Sequence, residues 1–206
     1  MNETVVINAY IVISIIIAAT DILLAVKSFK KNKTTGRFLG FACMGAAIVD
    51  ISYLISIISG SYMCMAAMSS IYFISIDFML VSLLIFTVYF TKGKFSGYGK
   101  WMVAFCFLYC IYELIVFAVN PFMEIAIEYK PRDTLIAKYS YQMKPLYELH
   151  LIFSYVMVLL VVGLLIRKIC KIPHEYRWQY LSVIIGILII VGINAIFLFL
   201  PGESVV

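Results

Sequence analysis

The sequence predicts an all-α polytopic membrane protein: six transmembrane helices, N-terminus outside, and a small extracellular β-hairpin between helices four and five. Three observations predict it. Of 206 residues, 64% are apolar and only 13% are charged, against about 25% charged in an ordinary soluble domain. The apolar residues gather into long runs separated by short charged connectors. Twelve of the sixteen Lys and Arg residues fall in three of those connectors.

In hydrocarbon every backbone N–H and C=O must be satisfied within the protein, so an apolar run of about 20 residues is helical. Such runs occupy roughly 5–26, 38–58, 65–90, 101–119, 149–169 and 179–200, and the whole chain, 1–206, reads as one membrane domain. The first run lacks a basic region before it and is too long for a cleaved signal, so it reads as a retained span. The third is the longest. In the second, Gly36, Gly40, Gly45, Ala46 and Ala47 form a small-residue surface of the kind that lets helix backbones approach. Tyr98 and Trp101 read as interfacial anchors at one end of the fourth.

Connectors 27–37, 91–100 and 167–177 carry the basic residues and fall on one side of a six-span chain. By the positive-inside rule that side is cytoplasmic, in the plasma membrane, with the N-terminus outside. The net charge of +5 is then orientation charge, and no nucleic-acid partner is implied. An even span count returns the C-terminus to the outside.

The one long connector lies between the fourth and fifth spans. Met123, Ile125, Ile127 and Tyr129 alternate with Glu124, Ala126, Glu128 and Lys130, and Leu135, Ala137, Tyr139 and Tyr141 alternate again after Pro131-Arg132-Asp133. Period two around a Pro-Asp turn predicts a hairpin over about 121–146, lying across the outer mouth of the bundle.

Polar groups within apolar runs point to a site. Asp21 sits near the inner end of the first span, within reach of Lys27. Asp50, Asp77 and Glu113 sit deeper, and no Lys or Arg occurs at their depth in any span. Intramembrane carboxylates normally face a bundle interior or a wet cavity. Tyr53 and Tyr109 share helix faces with Asp50 and Glu113, Glu148 and His150 enter the fifth span beneath the hairpin, and Asn194 lies in the sixth. These eight residues, Asp50, Tyr53, Asp77, Tyr109, Glu113, Glu148, His150 and Asn194, are the candidate ligand-binding set. A structural cluster sharing protons and hydrogen bonds is the competing reading. The five cysteines form no CxxC pair, no run of residues has metal-ligand spacing, and no P-loop, HExxH or GxSxG occurs. No enzyme, cofactor or metal is therefore expected in this chain.

The order of features, with KTTGRFLGFACMGAAIVDISYLI, VYFTKGKFSGYGKWM, AVNPF and IPHEYRWQYLSVIIGILIIVGINAIFLF, resembles the N-terminal seven-helix membrane sensor region of bacterial histidine kinases and diguanylate cyclases. The resemblance spans essentially the whole chain. It implies a receptor domain that senses an extracellular or membrane-partitioned small molecule. It also implies a seventh helix and a cytoplasmic output domain beyond Val206, through which the protein would form a homodimer. A small proton-coupled transporter and a non-catalytic membrane scaffold are the alternatives.

Overall fold

The computed structural model describes residues 3–31, 33–94, 97–131 and 138–199, with side chains from residue 8 to residue 188 within those ranges except 98 and 179. Six helices follow in order: α1 (Glu3–Lys30), α2 (Thr34–Ile58), α3 (Tyr62–Lys92), α4 (Gly97–Met123), α5 (Pro145–Ile169) and α6 (His174–Phe199). Strands β1 (Ile127–Pro131) and β2 (Tyr139–Met143) lie between α4 and α5. Five helical stretches, Asn8–Lys30, Thr34–Ile58, Tyr62–Lys92, Gly99–Met123 and Pro145–Ile169, are long and apolar enough to cross a membrane. The sixth expected span runs largely through positions whose side chains lie outside those described. The protein is an all-α multi-pass membrane protein carrying a two-strand hairpin.

The helices extend past the apolar runs because their flanking residues are helix-compatible and their caps lie outside the hydrocarbon stretch. α3 runs to Lys92 and stops at Gly93, whose φ of 75° is the left-handed conformation that ends helices. α5 starts on Pro145, a residue suited to the first helical turn because its missing N–H has no intrahelical partner there. α4 continues through Pro121 to Met123, four residues beyond the expected end.

α3 is the hub, packing on α2, α4 and α5, while α1 packs on α2 and α6 on α5. The small-residue surface of α2 does the expected packing. A Cβ on Gly40 would lie 2.7 Å from the Phe29 ring of α1, and one on Gly45 would lie 3.1 Å from the Met79 Cα of α3. Lipid provides no hydrophobic drive between helices, so such close backbone approach contributes packing that bulkier residues would forfeit. The outward faces carry large apolar side chains, including Ile16, Phe105, Leu108, Ile152 and Leu159. Trp101 is exposed at its end of α4, and the Tyr98 side chain lies outside those described.

The hairpin forms as the alternation predicts. β1 and β2 pair antiparallel, with Ile127 opposite Met143 and Tyr129 opposite Tyr141. Ile127 and Tyr129 are buried while Lys130 and Pro131 are exposed. The turn at 132–137 lies outside the described residues. Ile127 and Tyr129 join Met65, Phe73, Phe117 and Tyr147 in one apolar cluster, so the hairpin covers one end of α3, α4 and α5.

Candidate functional site

Three helices present buried stripes at three- and four-residue spacing, which keeps side chains on one helix face. On α3 the buried stripe includes Phe73, Asp77, Leu80, Leu84 and Val88. On α4 it includes Cys106, Glu113, Phe117 and Asn120, and on α5 Tyr147, His150, Phe153, Met157, Val161 and Leu165. Each stripe therefore carries one carboxylate or imidazole among largely apolar neighbours. Because the stripes face one another, the three ionisable residues must meet.

They do. His150 Nδ1 lies 3.2 Å from Glu113 Oε2 and 3.6 Å from Asp77 Oδ1. Asp77, Glu113 and His150 are each no more than 2% exposed. Among the described residues His150 is their ion-pair partner, and no Lys or Arg is paired with either acid. The imidazole is held between aromatic edges and faces, with the Phe73, Phe117 and Tyr147 rings 5.5, 5.1 and 6.0 Å from it. The Tyr109 hydroxyl stands beside Glu113, and neither Asp77 oxygen accepts a hydrogen bond. A buried acceptor left so costs about 1–3 kcal/mol, more when charged. The site is polar, desolvated and incompletely satisfied, so the fold supports it at the expense of stability.

Below it, α4 and α5 close with Tyr109 stacked on Phe153 at 3.7 Å and Cys106 Sγ 3.3 Å from Met157 Sδ. Above it, the hairpin is fastened by Asn120, a residue not singled out in the sequence. Its Oδ1 accepts from the Ala126 and Ile127 N–H groups at 2.8 and 3.0 Å, and its Nδ2 donates to the Ile127 carbonyl and the Tyr129 hydroxyl, each at 3.2 Å. Burial pushes the Tyr129 phenol above its ordinary range, so it stays protonated at neutral pH. Glu124, at φ 48°, turns the chain out of α4 in a conformation unusual for a residue with a Cβ. Tyr62 donates to its carboxylate at 2.5 Å and Lys144 to its carbonyl at 2.7 Å.

The eight candidate residues divide. Asp77, Glu113 and His150 converge, and Tyr109 brings a buried hydroxyl beside them. Asp50 is elsewhere: it lies beside Asp21 across α1 and α2, at a shallow cleft with Ser14, Ala18, Ile22 and Leu54. Asp21 thus neighbours Asp50, and no Asp21–Lys27 ion pair forms among the described residues. Tyr53 meets the Tyr10 ring edge-on and lies tilted against Tyr72. Glu148 is exposed, because two positions along a helix turn it about 200° from His150. Asn194 falls on α6 where side chains lie outside those described. The three acceptor and donor groups of the site also form the one set of His, Cys, Asp and Glu, among the described residues, whose ligand atoms lie within 4.8 Å of one another. No linear spacing reveals that grouping, because each member sits on a different helix.

No curated protein and no solved structure matches the chain. A family model for the N-terminal 7TM region of histidine kinase matches residues 9–205, nearly the whole of the chain. The chain belongs to the family of membrane sensor regions found at the N-terminus of histidine kinases.

Proposed function

We propose that this chain is a signal-receiving bundle whose sensing site is the buried Asp77, Glu113 and His150 cluster, capped by the hairpin on the extracellular side. The observation that carries the proposal is the convergence of three ionisable groups on three different helices, with unused acceptors and no Lys or Arg partner. A signal bound there changes how α3, α4 and α5 meet. To act, it must bind two arrangements of the bundle with different affinity. α6, packed on α5 and proposed as the sixth span, passes the change to the seventh helix that the family implies, and through it to a cytoplasmic kinase output. The basic connectors 27–37, 91–100 and 167–177 support placing that side in the cytoplasm.

Autophosphorylation of the intact kinase in inverted membrane vesicles tests the reading. Asp77→Asn, Glu113→Gln and His150→Gln, each nearly isosteric, are expected to fix output at one level across growth conditions that vary it in the unaltered protein. The lipid-facing Phe105→Leu is expected to leave that variation intact. Unchanged variation in all three site variants would overturn the assignment. Uptake driven by a pH gradient into proteoliposomes would instead make the chain a transporter, a reading that the intramembrane carboxylates also permit.

A further inference from the structure

We infer that Asp77, Glu113 and His150 form a binding site for a divalent transition-metal ion of the zinc class, clamped between α3, α4 and α5. The inference deepens the sensing reading and rests on it for the ion's place in signalling. Binding itself is tested separately.

Geometry is the first support. A zinc ion with bonds of about 2.0–2.1 Å in tetrahedral coordination sets its ligand atoms about 3.3 Å apart. His150 Nδ1 stands 3.2 Å from Glu113 Oε2 and 3.6 Å from Asp77 Oδ1, close to two such edges. All three ligand atoms lie within 4.8 Å of one another.

The second support is the unmet acceptor capacity. Both Asp77 oxygens are buried without a hydrogen-bond donor. One imidazole N–H at Nδ1 cannot satisfy two carboxylates. A dication would balance both carboxylates at once while taking the neutral imidazole nitrogen as its third ligand. Nothing else in the described surroundings supplies that charge, since Lys130 and Lys144 pair with Glu128 on the hairpin.

Donor type narrows the ion. One imidazole nitrogen and two carboxylate oxygens suit Zn²⁺, Mn²⁺ or Fe²⁺; Mg²⁺ and Ca²⁺ favour oxygen alone. The site supplies three protein ligands, the number that leaves a coordination position open to water or to another donor. That open position gives a signal bearing a nitrogen, oxygen or sulfur donor a place to bind. The Phe73, Phe117 and Tyr147 rings around His150 fix the imidazole plane as a ligand-orienting shell does.

The experiment uses the full 206-residue chain in detergent micelles, stripped with a chelator and then offered Zn²⁺, Mn²⁺, Fe²⁺ or Mg²⁺. Metal retained after desalting and thermal unfolding are both measured. The expected result is about one zinc per chain, with a raised Tm for zinc and none for Mg²⁺. Asp77→Asn combined with Glu113→Gln should abolish retention while helical circular dichroism persists. Where that double variant fails to fold, Asp77→His replaces one donor with another and should keep the metal. X-ray absorption of the zinc-loaded chain should show a mixed nitrogen and oxygen shell with one imidazole. A folded chain that holds no more Zn²⁺, Mn²⁺ or Fe²⁺ than the double variant overturns the inference. Such a result leaves the sensing reading to the kinase assay, which reads output without reference to metal.

Discussion

Asn120 and Ile127 exchange two hydrogen bonds: the side-chain oxygen of Asn120 accepts from the Ile127 N–H at 3.0 Å, and its amide donates to the Ile127 carbonyl at 3.2 Å. A side chain at the end of α4 thus acts as the missing neighbour of a β-strand. Asn120→Ala would strand the Ala126 and Ile127 groups in a buried setting. The expected loss is about 3 kcal/mol, from two or three unsatisfied groups at roughly 1–3 kcal/mol each, partly relieved by water. Hydrogen exchange read by mass spectrometry should show the hairpin amides exchanging faster, with α1 and α2 unchanged. Unaltered protection in the hairpin would mean that Asn120 does not fasten it.

Glu124 and Tyr62 offer a separable pair. The left-handed backbone at Glu124 costs about 1–2 kcal/mol for a residue with a Cβ, and the charge-assisted bond from Tyr62 is worth about 1.5–3 kcal/mol. In a Tyr62→Phe background that bond is already gone. Glu124→Gly is then expected to raise stability by about 1 kcal/mol, since glycine adopts this conformation without strain. In the unaltered chain the same change should be neutral or destabilising. Thermal unfolding of the four proteins in one detergent checks this; equal effects in both backgrounds would contradict the contact.

Gly45 and Gly163 should respond oppositely to substitution. Gly45 faces the Met79 backbone across α2 and α3, whereas a Cβ on Gly163 would meet nothing within 4 Å. Gly45→Leu is expected to separate the two helices and reduce the folded, monodisperse fraction severalfold in size-exclusion chromatography. Gly163→Ala is expected to hold or raise stability by up to about 1 kcal/mol, the helix-propensity difference.

Orientation is open to direct labelling. Cys170 is exposed at the end of α5, in a basic connector. With the other four cysteines replaced, a membrane-impermeant maleimide should label Cys170 in inverted vesicles and not in intact cells. Labelling only from outside would reverse the assigned topology.

The fold was legible where physics acts locally. Apolar runs between basic connectors predict the helices because the bilayer forces backbone hydrogen bonds inward, and alternation at Ile127 and Tyr129 predicts the hairpin because side chains alternate across a strand. Helix ends were less legible, since α3 reaches Tyr62 and Lys92 through residues that no hydrocarbon constrains. Asp77, Glu113 and His150 stand out in the sequence as polar residues in apolar runs. Their meeting does not, because it depends on which stripes face each other. The same limit put Asp50 and Tyr53 into one set with them, whereas packing of α1 on α2 takes Asp50 to Asp21. Asn120 reads as a span-end residue beside a proline, and its role emerges only once the hairpin folds back over it.

Three helices bring Asp77, Glu113 and His150 into one coupled site. A double-mutant cycle between Glu113 and His150 tests this most directly, using Glu113→Ala, His150→Ala and the pair in a single detergent. Contacting buried groups show interaction energies of about 0.5–3 kcal/mol, so a coupling of at least ~1 kcal/mol is expected for Glu113 with His150 and none for Glu113 with the exposed Glu148. Strict additivity of Glu113→Ala and His150→Ala would contradict it.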